Sequence, residues 1–287
     1  MKTLKSRLLT AARETNVPQD VVEKDYALSY VLAGISSHNQ LNQILLLKGG
    51  TALKKLYFGE YRFSEDLDFT CADSDRKELL DEPFKEAISA AGTLLLTQGP
   101  FDWTVERYEE REPHPRGQEA FVVRLRFPWH REALCRIKVE VTTDEPVVLE
   151  PQRRHLIHGY EEDLECMIAC YALEEIVAEK LRTLVQTHRK LATRGWNRPR
   201  ARDYYDLWRI LTEYEGTLRQ SVIPDVLNRK AANRGVYWQS VDDFFTPELV
   251  TEASRTWDSS LGPFVANLPP CETVLSELRI KLASTLQ

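Results

Sequence analysis

Apolar positions recur at helical spacing at the start of the chain, then fall into short runs, and return to helical spacing towards its end. Residues 4–14 read as a first helix. A second begins near Pro18, a residue tolerated at the first helical position, and carries a broad apolar face of Val21, Val22, Tyr26, Leu28, Tyr30, Val31 and Leu32. Its Glu23-Lys24-Asp25 cluster reads as solvated charge at a helix start. The apolar run 44–47 reads as a buried strand broken by Gly49-Gly50, where the backbone can turn sharply and approach a ligand. Thr51 is then expected to cap a short helix over 52–57. In Asp66-Leu67-Asp68-Phe69 polar and apolar residues alternate, so a strand points both carboxylates one way and Leu67 and Phe69 into the core.

Residues 74–91 read as a helix capped by Ser74, with Leu79, Leu80, Phe84, Ala87 and Ile88 as its buried stripe. Three strands are expected at 101–108, 120–127 and 135–142, with a polar, proline-bearing loop at 109–117. Residues 143–163 lack periodicity and suit a connection between lobes. Helical spacing then dominates, at 172–187, 218–233, 241–257 and 271–286, with breaks at Pro263 and Pro269-Pro270. The expected organisation is an α/β (α+β) core over 1–160, including the N-terminal helices, and a helical lobe over 161–287.

Composition narrows the function classes. With 43% hydrophobic residues the chain can bury a core, and a net charge of -6 argues against a nucleic-acid scaffold coated in positive charge. Five scattered cysteines and a start without a long apolar segment point to a reducing cytoplasm. Cys166 and Cys170, read as one helical turn apart, have no second pair to complete a metal site and are expected to be buried thiols. No apolar stretch reaches the length of a membrane span.

Against this background the Gly-Gly-Thr turn followed by Asp-x-Asp has a chemical rationale. A helix start favours a triphosphate, Lys54 and Lys55 add positive charge, and two carboxylates on one strand face can share magnesium ions with phosphate oxygens. In the strand Arg136–Val141, Glu140 lies opposite Ile137, Val139 and Val141 and is positioned to complete a carboxylate trio with Asp66 and Asp68. Lys180 borders the apolar face of its helix, where it either snorkels or neutralises a triphosphate. Residues 188–202 form a basic stretch with one tryptophan and no acidic residue before it ends. Its Arg189, Lys190, Arg194, Arg198 and Arg200 are candidates for RNA contact, and Trp196 for stacking. Asp203 and Asp206 follow one turn apart in the next helix.

These segments, in this order, resemble the AbiEii/AbiGii (MenT-like) nucleotidyltransferase toxins of abortive-infection and toxin–antitoxin systems. The resemblance rests on Glu23-Lys24-Asp25, Lys48-Gly49-Gly50-Thr51-Ala52-Leu53, the segment Arg62–Phe69, Ile137-Lys138-Val139-Glu140, Glu175–Leu181 and Arg202–Leu207. It implies a DNA polymerase β-like core with a mixed sheet, a helical C-terminal lobe and an active site between them. It also implies transfer of a nucleoside monophosphate from an NTP to RNA, with the tRNA 3′ acceptor end as substrate class, and a cognate antitoxin encoded nearby. Carried over by motif, Asp66 and Asp68 bind metal, Lys180 holds the triphosphate, Asp203 is essential, and Ser64 is a position that an antitoxin can phosphorylate in some relatives.

The expected mechanism uses Mg²⁺ on Asp66 and Asp68, with Glu140 as third ligand or as base. Gly49, Gly50 and Thr51 cradle the triphosphate, with Ser64 beside them, and Lys180 with Lys54 or Arg62 stabilises the leaving pyrophosphate. Two alternatives stay open at this point: a protein acceptor, as in an AMPylating or kinase-like enzyme, and a non-catalytic nucleotide- or partner-binding module.

Overall fold

The structure is a computed structural model that describes residues 2–72, 80–108, 118–194 and 199–286. Ser74, Leu79, the loop 109–117, Trp196, Arg198 and the side chain of Arg194, all named above, lie outside the described residues.

The chain divides into two compact units, one of Met1–Glu145 with Pro151–Cys170 and one of Pro146–Glu150 with Tyr171–Gln287. The first is built on a seven-stranded mixed sheet. Its strands are β1 (Leu45–Lys48), β2 (Leu67–Cys71), β3 (Asp102–Arg107), β4 (Gln118–Arg126), β5 (Cys135–Thr142), β6 (Gln152–His155) and β7 (Met167–Cys170), in the order β3-β4-β5-β2-β1-β7-β6. Pairing is antiparallel except for β2 with β5 and β1 with β7. Alternation sets the two faces: Leu67 and Phe69 on β2 and Ile137, Val139 and Val141 on β5 are buried on one, while Asp68 and Glu140 take the other.

The helices α1 (Leu4–Thr15), α2 (Gln19–Ser37), α3 (Asn39–Ile44), α4 (Gly49–Ala52) and α5 (Asp81–Leu95) belong to this unit. Thr3 caps α1 by accepting from the Ser6 N–H at 3.3 Å, and Asn16 ends it in the left-handed conformation at φ 51°. In α5 the stripe Phe84, Ala87, Ile88, Ala91 and Leu95 is buried, and Phe84 stacks on Phe121 of β4 with ring centroids 4.4 Å apart.

Four expectations are corrected here. Thr51 is no cap: the helix starts at Gly49, two residues earlier, and continues as a π-helical turn over Leu53–Phe58. Buried Thr51 instead donates its hydroxyl to the Asp66 carbonyl at 2.5 Å, tying the helix to the entry of β2. Glu23 and Asp25 are not solvated. Glu23 accepts from Gln19, Trp129 and His130, and Asp25 accepts from Tyr160 and pairs with Lys55 at 2.6 Å, all in a buried setting where partners are obligatory. Residues 143–163 contain the edge strand β6, and Cys166 and Cys170 flank and end β7 rather than sharing a helix. Burial pushes both thiols up to about 11.

The second unit contains α6 (Leu173–Arg194), α7 (Ala201–Glu213), α8 (Ile223–Asn233), α9 (Pro247–Leu261) and α10 (Cys271–Thr285). Thus the basic stretch expected from residue 188 begins as the last turns of α6. Lys230 is fully buried and pairs with Glu175 at 2.9 Å. Glu175 also accepts the Val148 and Leu149 N–H groups, and Lys230 donates to the Pro146 carbonyl, which explains why Pro146–Glu150 belongs to this unit. Among the described residues no helix is long and apolar enough to cross a membrane.

Candidate active site

Sheet register brings the acidic residues together. Lys48 lies opposite Asp68 in the β1–β2 pair, and Asp68 lies beside Glu140 in the β2–β5 pair, so these three form a row across adjacent strands. Asp66 precedes Asp68 by two residues, at the mouth of β2, and is exposed. Asp68 and Glu140 are direct register partners on the same face of the β2–β5 pair.

This crowding has an electrostatic signature. Burial, followed by the charges of Glu140 and Asp66, pushes Asp68 up to about 7 against the opposing pull of Lys48. Desolvation, then the charges of Glu65 and Glu140, raises Asp66 as well. Glu140 itself accepts from Lys138 at 2.6 Å and Gln118 at 2.8 Å. Lys48 is turned to Glu145 at 2.7 Å in a buried pair.

The glycines are dictated by space. Gly49 has φ +72°, and a Cβ there would stand 2.8 Å from Asp68 Oδ2. A Cβ on Gly50 would stand 2.5 Å from an Arg62 guanidinium nitrogen and 3.2 Å from Ser64 Oγ. Arg62 and Ser64 therefore lie directly against the turn. Buried Arg62 also donates to the Phe63 carbonyl at 3.1 Å.

Lys54 and Lys55 behave differently from the expectation that both place charge at the turn. Lys54 donates to the Gly59 carbonyl at 2.5 Å and lies over the Phe63 ring, and burial lowers its pKa. Lys55 is consumed by its buried pair with Asp25.

Within the second unit, Lys180 Nζ lies 2.8 Å from Asp203 and 2.8 Å from Asp206, which is fully buried. Burial pushes Asp203 up, but Lys180 and Arg200 outweigh it and hold its pKa below the usual carboxylate value. Arg200 is engaged with Asp203 at 3.3 Å and with Thr187 at 2.9 Å, and Arg189 donates to the Gly235 carbonyl at 2.5 Å. Lys190 lies on α6 with Arg189. The Lys48–Glu145 pair is an addition to the residues selected from sequence, and no local pattern signals a partner 97 positions away.

Among the described residues no three His, Cys, Asp or Glu side chains converge as a metal cage. The donor chemistry nonetheless fits a hard divalent cation. Carboxylates that raise one another's pKa lose that repulsion when a cation binds, and magnesium is commonly held by one or two carboxylates plus substrate phosphates and water.

No curated protein matches the chain. Among solved structures, the MenT4 nucleotidyltransferase toxin from Mycobacterium tuberculosis H37Rv superposes with a TM-score of 0.67 at 20% identity, covering 99% of this chain and 90% of that one. At that identity the likeness establishes the mixed α/β fold. A family model described as "Nucleotidyl transferase AbiEii toxin, Type IV TA system" matches residues 30–281. The chain therefore belongs to the AbiEii nucleotidyltransferase toxin family of type IV toxin–antitoxin systems.

Proposed function

We propose that this toxin-type nucleotidyltransferase transfers a nucleoside monophosphate from an NTP to the 3′ acceptor end of tRNA in a magnesium-dependent reaction. The observation that carries this reading is the juxtaposition of the Asp68–Glu140 row with the Gly49-Gly50 turn. Magnesium, when bound, supplies charge neutralisation for the reacting phosphates.

Asp66 and Asp68, with Glu140 beside them, are the residues that hold it. Gly49 and Gly50 let the triphosphate approach the backbone closely, and Arg62 and Ser64 supply polar groups at the same turn. Glu140 takes the proton of the acceptor hydroxyl as its oxygen bonds to the α-phosphorus. The bond from that phosphorus to pyrophosphate breaks. Within the second unit, Asp203 and Asp206 fix Lys180 as a paired cation, the type of group that neutralises phosphate charge. Family membership implies a cognate antitoxin.

The direct test incubates the purified protein with Mg²⁺, total tRNA and each α-labelled NTP in turn, beside Asp66→Ala. Label on tRNA with the intact protein alone supports the reading and identifies the base. Label on protein, or on nothing, overturns it.

A further inference from the structure

The polar face of the sheet continues past Glu140 into a basic row. In the β4–β5 pair Arg124 lies directly opposite Arg136, and Val122 opposite Lys138, on the same face as Glu140 and Asp68. Like charges directly across a ladder destabilise it, so the fold bears a cost at Arg124 and Arg136 that a bound anion would relieve. Tyr108, whose N–H donates to the Ala120 carbonyl, sets its ring 5.5 Å from the Arg136 guanidinium and 5.4 Å from Lys138 Nζ. Arg136 is exposed, and Arg124 and Tyr108 are half-buried. Among the described residues, α5 packs on the opposite face of these strands: Phe84 meets Phe121, and a Cβ on Gly92 would stand 3.3 Å from the Trp103 ring.

Direction links this row to the chemistry. The Gly49-Gly50 turn follows β1, on one side of Asp68, whereas Glu140 and the arginines lie on β5 and β4, on its other side. In-line displacement needs the attacking and leaving oxygens on opposite sides of the phosphorus. A triphosphate at the glycine turn therefore leaves the β5 side for the acceptor. Arg136 lies four residues from Glu140, about 13 Å along the strand, within the span of a few nucleotides.

We propose that Arg124, Arg136 and Tyr108 form the track for the single-stranded end of the RNA acceptor, the arginines holding its phosphates and the tyrosine stacking a base. This inference rests on the RNA-acceptor reading above. It assigns the acceptor contact to the sheet of the first unit rather than to the basic stretch at the end of α6. Arginine charge and an aromatic ring are the combination that binds single strands without reading sequence.

The test measures transfer to total tRNA and the salt dependence of tRNA binding for the wild type, Arg124→Gln/Arg136→Gln, Arg124→Lys/Arg136→Lys and the surface control Arg255→Gln, with melting curves for each. The glutamine pair is expected to raise KM for tRNA roughly tenfold or more and leave KM for NTP unchanged. It should flatten the log–log salt slope by about 1.4, two phosphates at ~0.7 each. The lysine pair keeps the charge and should retain most of the slope, and the control should match the wild type. Wild-type transfer to tRNA with an unchanged slope and KM in the glutamine pair overturns the track alone. An equal loss in the lysine pair, or a melting point lowered in step with activity, also overturns it by showing a structural role. If the wild type labels no RNA at all, the acceptor reading falls and takes the track with it.

Discussion

Gly49 combines two requirements that no other residue satisfies: a backbone at φ +72° and an absent Cβ where Asp68 Oδ2 would stand 2.8 Å away. Gly49→Ala is expected to cost about 1–2 kcal/mol of stability from the left-handed backbone. It should cost far more in transfer, because the carboxylate must move. Urea denaturation read beside an activity assay checks this; an active Gly49→Ala enzyme would remove the close approach from the account. Asp68 gives a prediction with a definite sign. Its folded pKa, about 7, lies above the ordinary 3.8, so its contribution to stability is full below 3.8 and is lost as pH rises through about 7. Metal-free protein should lose this contribution across that window. Mg²⁺ should raise the melting temperature more above pH 7 than below it, and Asp68→Asn should abolish that difference. Equal Mg²⁺ stabilisation on both sides would contradict it. At this scale the sequence was informative about placement: the break at Gly49-Gly50 and the shared face of Asp68 and Glu140 follow from turn chemistry and period-two alternation, which are local, whereas Asp66, expected in the strand, precedes it. The fate of Lys55 was not legible, because Asp25 and Tyr160, which capture it, are distant in sequence.

Elements were legible in proportion to their length and periodicity. The strand Cys135–Thr142 was found with its bounds, and α1 and α10 within a residue, because each carries an apolar pattern over eight residues or more. Strands β6 and β7, four residues each, were missed: β6 carries no apolar residue, and the apolar residues of β7 run on into those of α6 with no turn signal between them. The parallel pairing of β2 with β5 was also hidden, although it is what brings Asp68 to Glu140. Register there is critical, since a slip of one residue would turn Glu140 into the core. The α6–α7 contact carries its own prediction. Lys180 is shared by Asp203 and fully buried Asp206, so Asp206→Ala should destabilise the protein by roughly 3–5 kcal/mol through an incompletely compensated buried charge. Asp206→Asn, which retains a polar partner, should cost less. Equal, small shifts in the urea midpoint for both variants would show that Asp203 alone suffices to hold Lys180.

For the whole molecule, a net charge of -6 describes the sum and hides the distribution. Acidic residues gather where a cation is expected and arginines face one another on the neighbouring strands, so both signs of charge that the proposed transfer to RNA would use coexist in one sheet. The change in apolar spacing led to the expectation of a sheet-based and a helical part divided at residue 160; that residues 161–170 belong to the sheet unit and Pro146–Glu150 to the helical unit has no such signal. That segment is held by main-chain bonds to Glu175 and by Lys230, which leave no pattern in it. Membership of the AbiEii family fixes the class of chemistry, nucleotidyl transfer in a toxin–antitoxin system, and leaves the acceptor and the metal as proposals. The central claim is that the α-phosphoryl group, with its nucleoside, moves to RNA at the Asp68–Glu140 site. The most direct measurement compares α-labelled with γ-labelled NTP on the same tRNA, with Asp68→Ala alongside. The account predicts α-label on tRNA, one pyrophosphate released per transfer, no γ-label on any acceptor and no reaction in the variant. Transfer of the γ-label, or α-label undiminished in Asp68→Ala, would contradict it.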